Sequence, residues 1–364
     1  MKILIAAGGT GGHILPGVAI AKVLREQGHG VHFVVKKDQD SQAFLAREGF
    51  PSSAFYFEGF PRKISLRAVL FPITALAAFL SARRIFRRES PDVFLGMGGY
   101  ISVPAGLAAV LRGVPIILHE QNVRAGLANR FLSRWAKTVA TSFDSTEGLS
   151  ARSGRIVCTG LPLRPDLGPK DPAHSRRSLG LDAEAFTLLI FGGSQGARGL
   201  NAKILDGMKV LAKERPTWQY IHLTGKTDEE NVRAAYSALG RKAFVHAFHS
   251  DMSTIYSAAD FVIARAGANT VMELRRMSRA ALLVPFPFAT DDHQMANARV
   301  LEKAGTARLV EEKDLTADTL WTVLRELPST EMWRAKSTER LMHGGPDLLN
   351  AAQRVADLIT EEKK

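Results

Sequence analysis

The sequence predicts an α/β protein of two Rossmann-like domains, each a doubly wound parallel sheet, facing each other across a cleft. Three observations predict it. An apolar strand runs straight into a glycine-rich turn twice, about half a chain apart: Ile3-Leu4-Ile5-Ala6-Ala7 into Gly8-Gly9-Thr10-Gly11-Gly12-His13, and Leu188-Leu189-Ile190-Phe191 into Gly192-Gly193-Ser194-Gln195-Gly196. Strand-like and helix-like stretches alternate along the chain, the pattern of a parallel sheet covered on both faces. The length, 364 residues, exceeds one ordinary core and suits two.

In the first half, residues 2–7, 30–35, 92–95, 115–118 and 138–141 read as strands, and 15–27, 100–112 and 124–134 as helices. The second half repeats the alternation, with strands at 186–191, 219–223, 243–246, 260–263 and 281–284 and helices at 199–213, 228–238, 268–277 and 293–304. Between them Thr159-Gly160-Leu161-Pro162-Leu163-Arg164-Pro165-Asp166-Leu167-Gly168-Pro169 carries three prolines and two glycines, which forbid a continuous helix or central strand. The expected division is therefore 1–160, 161–340 and a last segment, 341–364. The tail from 331 reads as helical, broken by His343-Gly344-Gly345-Pro346, and its final helix is expected to pack back on the first domain.

With 46% hydrophobic residues and dispersed charge, the chain resembles neither a disordered nor a low-complexity protein. A single cysteine, Cys158, excludes an internal disulfide framework. The N-terminus opens on a strand rather than on a signal segment, so a reducing, cytoplasmic location is expected. The formal net charge of +12 favours anionic partners such as nucleic acid, phosphorylated substrates or acidic lipid headgroups, without choosing among them.

A glycine turn between strand and helix lets backbone N–H groups approach a phosphate, with the positive helix end behind them. The spacing is neither a dinucleotide fingerprint nor a Walker loop, and the second strand ends in Lys36-Lys37 rather than an acid. His13 follows four glycines where the first helix begins, with Pro16 expected in the first turn. It suits either a general base for a hydroxyl acceptor or a helix cap. Ser194 and the glycines around it suit a diphosphate. Arg265-Ala266-Gly267-Ala268-Asn269-Thr270-Val271-Met272-Glu273 forms another strand-end turn; Glu273 is read as a ribose ligand or as a capping-box partner of Thr270. Asp291, Asp292 and His293 could be metal ligands, but the two adjacent acids before a helix read first as caps, while Gln294 and Asn297 suit sugar hydroxyls. Gly96-Met97-Gly98-Gly99-Tyr100 suits a second phosphate. His119-Glu120-Gln121-Asn122 sits at a strand's carboxyl end, as ligand contacts or as a structural network.

The apolar stretch 68–80 contains Leu70, Phe71, Ile73, Leu76 and Phe79; Arg62, Lys63 and Arg67 precede it and Arg83, Arg84, Arg87 and Arg88 follow. Interrupted by Pro72 and Thr74, it is shorter than the roughly 20 residues a spanning helix needs. It reads either as an interfacial segment on anionic lipid or as a core helix with a basic end.

Taken together, the turns at 8–13, 98–100, 192–197 and 265–268, with Pro16, His119-Glu120-Gln121-Asn122, Glu273, Asp292-His293-Gln294 and Asn297, resemble the MurG family of glycosyltransferases, glycosyltransferase family 28, over nearly the whole chain. The resemblance implies a GT-B fold and an inverting transfer of N-acetylglucosamine from UDP-GlcNAc to the C4 hydroxyl of undecaprenyl-diphosphate-linked MurNAc-pentapeptide, lipid I, in peptidoglycan synthesis. It implies His13 as the base, and Thr10, Gly11, Gly12, Asn122, Arg164, Ser194, His249, Ala268, Asn269, Thr270, Glu273 and Gln294 as donor contacts, His249 through its main chain to uracil. Gly98, Gly99, Tyr100, His119 and Glu120 would join His13 on the acceptor. Leu161 stands where the family's linker carries Asn. No cofactor or metal is implied, since UDP-GlcNAc is a substrate. The implied partners are anionic inner-membrane lipids and cell-wall synthesis and division proteins, not nucleic acid, with the protein peripheral at the cytoplasmic face of the bacterial membrane. A transferase with another acceptor, an epimerase of similar build and a non-enzymatic nucleotide-binding module remain the alternatives.

Overall fold

The structure, a computed structural model, describes residues 1–8, 11–59, 66–150, 154–193, 196–326 and 350–362. The chain divides into two compact units, Met1–Arg164 with Gly345–Lys364, and Pro165–Gly344.

The first unit runs β1 (Lys2–Ala6), α1 (Gly11–Glu26), β2 (Gly30–Lys36), α2 (Gln39–Arg47), β3 (Ser52–Phe55), α3 (Leu66–Glu89), β4 (Val93–Gly96), α4 (Ser102–Leu111), β5 (Ile116–Glu120), α5 (Leu127–Leu132), β6 (Thr138–Thr141) and β7 (Arg155–Cys158). Its seven strands lie in the order β3-β2-β1-β4-β5-β6-β7, all parallel. Side chains alternate across the sheet. Ile3 and Ile5 join Val18 and Leu24 of α1 and Leu45 of α2 on one face, while Leu4 and Ala6 meet Ala82 and Phe86 of α3 and Ala105 of α4 on the other. Both faces are covered, which is why these strands read as unbroken apolar runs.

The second unit runs α6 (Pro172–Ser178), β8 (Thr187–Phe191), α7 (Arg198–Glu214), β9 (Gln219–Leu223), α8 (Glu229–Ala238), β10 (Ala243–His246), α9 (Met252–Ala258), β11 (Phe261–Ala264), α10 (Ala268–Arg276), β12 (Ala281–Leu283), α11 (His293–Lys303), β13 (Ala307–Leu309) and α12 (Ala317–Arg325). Six parallel strands lie in the order β10-β9-β8-β11-β12-β13. Leu188 and Ile190 pack with Ile204 and Leu211 of α7 and with Leu320 and Leu324 of α12. A buried ion pair ties α6 to the sheet: the Arg176 guanidinium reaches both Asp260 oxygens at 2.9 Å and donates to the Ala258 carbonyl, and Asp260 also accepts the Thr187 N–H.

The last helix, α13 (Ala351–Glu361), belongs to the first unit. Val355, Ala356, Leu358 and Ile359 enter the core on the α1 face, and Thr138 donates to the Glu362 carboxylate at 3.1 Å. The expected helical stretch 331–349, with its break at His343-Gly344-Gly345-Pro346, lies outside the described residues.

Several expectations shift. The first helix starts at Gly11, not at residue 15, so Pro16 sits inside it rather than in its first turn. The helix expected over 124–134 contracts to Leu127–Leu132: before it, Arg124 and Ala125 pair with the backbone of Glu147 and the Gly126 N–H is taken by Glu120. The stretch around 68–80 belongs to a continuous helix of 24 residues, with Pro72 inside it.

Candidate active site

In an open α/β sheet, ligands bind beyond the carboxyl ends of the strands where the strand order reverses. In the first unit that point lies between β1 and β4. Gly8 follows β1, and a Cβ there would lie 2.7 Å from Ile101 Cγ2, so the β1 turn must stay bare to seat against the turn after β4. Gly98 has φ +89°, and a Cβ on it would lie 3.3 Å from both His13 Cε1 and Asn129 Nδ2. Only glycine fits both the backbone and the ring packed on it.

His13 is the third residue of α1, where backbone N–H groups lack helical partners and the dipole is positive. It therefore stands inside the helix rather than at its cap. Its Nδ1 lies 2.9 Å from Gln121 Oε1. Gln121 is buried, and its NH2 nitrogen lies 2.9 Å from the Met97 carbonyl, 3.0 Å from the His119 carbonyl and 3.1 Å from His119 Nδ1, so its two hydrogens are shared among three acceptors. His119 Nε2 in turn faces the Gly160 carbonyl at 3.2 Å. Burial holds the His119 pKa down to about 4, so this imidazole is neutral.

Glu120 accepts from Asn122 N–H (2.9 Å) and Nδ2 (3.1 Å) on one oxygen, and from Gly126 N–H (3.0 Å) and Asn129 Nδ2 (2.8 Å) on the other. The expected acceptor contacts at His119 and Glu120 are thus corrected. They are 0% and 1% exposed and bonded to protein groups, so they shape the site from behind. Asn122 remains half-buried with its amide on Glu120, Tyr100 is exposed, and Thr10 lies outside the described residues. Leu161 is fully buried, and Arg164 is partly exposed.

In the second unit the order reverses between β8 and β11. Ser194 and Gln195 lie outside the described residues; around them Gly193 and Gly196 have φ of +107° and +77°, and a Cβ on Gly196 would collide with the Thr224 carbonyl. Helix α7 starts just beyond, at Arg198. The turn after β11 is braced on several sides. Buried Arg265 donates to the Val284 and Pro285 carbonyls, each at 3.1 Å, and pairs with Glu312. Gln294 Oε1 accepts the Ala266 and Phe286 N–H groups, and Asn297 donates to the Ala266 carbonyl. Asn297, expected to face a sugar, is 0% exposed and supports this turn instead.

Glu273 accepts the Tyr256 hydroxyl at 2.9 Å. The capping-box alternative fails because Gly267 is the N-cap of α10, with no side-chain cap. Ala268, Asn269 and Thr270 form the first turn of α10, and His249 Nδ1 lies 3.1 Å from the Asp251 carbonyl. Asp291 and Asp292 are both left-handed (φ 52° and 51°), and the expected capping is corrected at Asp292, which stands at the N-cap of α11 but makes no side-chain cap bond. Asn129, Tyr256 and Glu312 are supporting residues to which the sequence assigns no role, and Gln121 is one that it offers only as a member of the 119–122 cluster. The one available signal was the period-2 spacing of His119 and Gln121, which puts both on the same face of the chain as it leaves β5.

Helix α3 buries Ala78, Ala82, Ile85 and Phe86 against the sheet and exposes Val69, Leu70, Ile73, Leu76 and Leu80, with Arg83 and Arg84 exposed after them. Phe71 and Phe79, expected on the same outer face, lean on the core. By length and composition, Val69–Glu89 is long and apolar enough to cross a membrane. Its inner face is occupied by the sheet.

Two family profiles match the chain: the glycosyltransferase family 28 N-terminal domain over residues 3–141 and its C-terminal domain over 187–357. The UDP-N-acetylglucosamine–N-acetylmuramyl-(pentapeptide) pyrophosphoryl-undecaprenol N-acetylglucosamine transferase of Myxococcus xanthus is 38% identical, over 99% of this chain and 93% of its own. The crystal structure of Acinetobacter baumannii MurG superposes with a TM-score of 0.77 at 32% identity, covering 99% of both chains. A UDP-GlcNAc 2-epimerase from Neisseria meningitidis, 15% identical with a TM-score of 0.66 over 99% of this chain and all of its own, shares the fold alone. The two sheets have the GT-B architecture, and the chain belongs to glycosyltransferase family 28.

Proposed function

We propose that this chain is the transferase that moves N-acetylglucosamine from UDP-GlcNAc to the C4 hydroxyl of the muramyl residue of undecaprenyl-diphosphate-linked MurNAc-pentapeptide, inverting the anomeric carbon. The substrates follow from the activity for which its relatives of matching length are named. The observation that carries the chemistry is His13, an imidazole in the first turn of α1, held by Gln121 and packed on the bare turn at Gly98. There it accepts the acceptor's hydroxyl proton while Gly98, Gly99 and Tyr100 bind the acceptor's anionic diphosphate, and Gly11 and Gly12 at the start of α1 serve as donor contacts.

The second unit takes the donor. Backbone N–H groups of the turn after β8, Ser194 among them, and the helix behind it stabilise the charge that develops on the leaving diphosphate. Glu273, steadied by Tyr256, accepts hydrogen bonds from the ribose hydroxyls. Ala268, Asn269 and Thr270 line the diphosphate and sugar, and Gln294, whose carbonyl braces two loops, offers its NH2 group to the sugar. His249 lies along the nucleobase, and Asn122 and Arg164 complete the donor contacts. UDP-GlcNAc enters as a substrate, and each of these steps uses protein groups.

The exposed face of α3 docks the protein on anionic lipid at the cytoplasmic face of the membrane, where its acceptor resides, with Arg83 and Arg84 on lipid phosphates. The test is transfer to a short-chain lipid I analogue. His13→Ala should lower turnover about several hundredfold while UDP-GlcNAc binding, followed by calorimetry, stays near wild type. Near-normal turnover in that variant removes the base, and release of UDP without disaccharide by the wild type removes the acceptor.

A further inference from the structure

We infer that Gln121 is a positioning residue that fixes the tautomer of His13, holding its proton on Nδ1 so that Nε2 carries the lone pair that takes the substrate hydroxyl's proton. The inference rests on His13 being the base. Its argument is the orientation of one amide. If the Gln121 side chain were turned over, its oxygen would lie 2.9 Å from the Met97 carbonyl and 3.0 Å from the His119 carbonyl, acceptor against acceptor on both sides. The NH2 group must therefore face those carbonyls and the oxygen must face His13, 2.9 Å from Nδ1. An amide oxygen only accepts, so His13 Nδ1 carries the hydrogen.

The far end of the network agrees. His119 Nδ1 receives the Gln121 NH2 group, and His119 Nε2–H then donates to the Gly160 carbonyl. The tautomers of His13 and His119 and the orientation of the Gln121 amide are thus mutually consistent. During transfer the acceptor oxygen bonds to the anomeric carbon, the bond from that carbon to the diphosphate breaks with its electron pair leaving on UDP, and the hydroxyl proton passes to His13 Nε2. The Nδ1–H bond to Gln121 persists throughout. An amide holds the ring without bringing the negative charge of a carboxylate orienter, which would favour the imidazolium.

The test combines a spectroscopic readout with kinetics. In protein carrying 15N-labelled histidine, the His13 ring resonances are assigned by their loss in His13→Gln. Above the titration of the ring, the wild type should show His13 as the Nδ1–H tautomer; a predominant Nε2–H form overturns the inference, and this measurement needs no variant at position 121. Gln121→Met keeps the volume and removes the acceptor. It should shift His13 toward the Nε2–H form and lower kcat at least about tenfold, with KM for UDP-GlcNAc within twofold of wild type. An unchanged kcat, or a fall in kcat with the tautomer unmoved, overturns the inference. If His13→Ala itself retains turnover, the base reading fails instead, whichever tautomer is seen.

Discussion

His119 is enclosed at the end of β5 and His222 within β9, and burial lowers their pKa values to about 4 and about 3. An unfolded histidine takes up its proton near pH 6.5, so between that pH and the folded value only the unfolded chain is charged. The stability these neutral rings contribute is complete above about pH 6.5. It declines by about 1.4 kcal/mol per pH unit per histidine as pH falls, levelling near pH 4 for His119. Hydrogen-exchange protection of β5 and β9, corrected for intrinsic rates, should fall over this range in both units. Flat protection between pH 6.5 and 4.5 would show that the rings open to water without unfolding. At this scale, His13 and Glu273 could be singled out because each stands beside its own glycine turn. Gln121 could not, since its partner is 108 residues away and nothing local distinguishes an orienting amide from a ligand. His119 and Glu120 were misassigned to the acceptor for the same reason: a polar residue at a strand's end looks alike whether it faces ligand or lies behind the residues that do.

Helix α3 divides its apolar residues between two environments, and variants should separate them. Replacing Leu70, Ile73 and Leu76, all exposed, by Ser should leave thermal stability nearly unchanged and weaken binding to anionic vesicles at least tenfold, given about 1 kcal/mol or more per apolar side chain withdrawn from lipid. Ala82→Asp, 1% exposed on the sheet side, should unfold the first unit. Equal vesicle binding by the triple variant would place the membrane contact elsewhere. The elements legible in the sequence were those with strong period or length, such as β1, β8 and α7. The edge strand β3 (Ser-Ser-Ala-Phe) and α2, whose start is set by Asp38 accepting the Ser41 N–H, carry little apolar signal and were missed. The inner and outer faces of α3 could not be told apart, because both are apolar and only the sheet decides which of them is buried.

The two parallel sheets follow from repetition of one pattern, and the expected return of the last helix to the first unit has its residues named by the structure. The first unit contains both the N-terminal 164 residues and the last helix, so the polypeptide leaves that unit and later returns to it. Ending the chain at residue 349 removes Val355, Leu358 and Ile359 from the α1 face, each worth about 1.5–3 kcal/mol of burial, a large share of a domain's typical 5–15 kcal/mol. In calorimetry the truncated chain should lose or sharply lower the transition of the first unit while that of the second stays in place. An unmoved first transition would show that α13 is dispensable. Returning to the starting unit also fixes a timetable at the ribosome. The stripe of α1 that α13 covers stays bare while residues 165–344 are made, about 10–40 s at about 5–20 residues per second. The part translated first is therefore completed last, and until then a chaperone has a defined apolar stripe to hold.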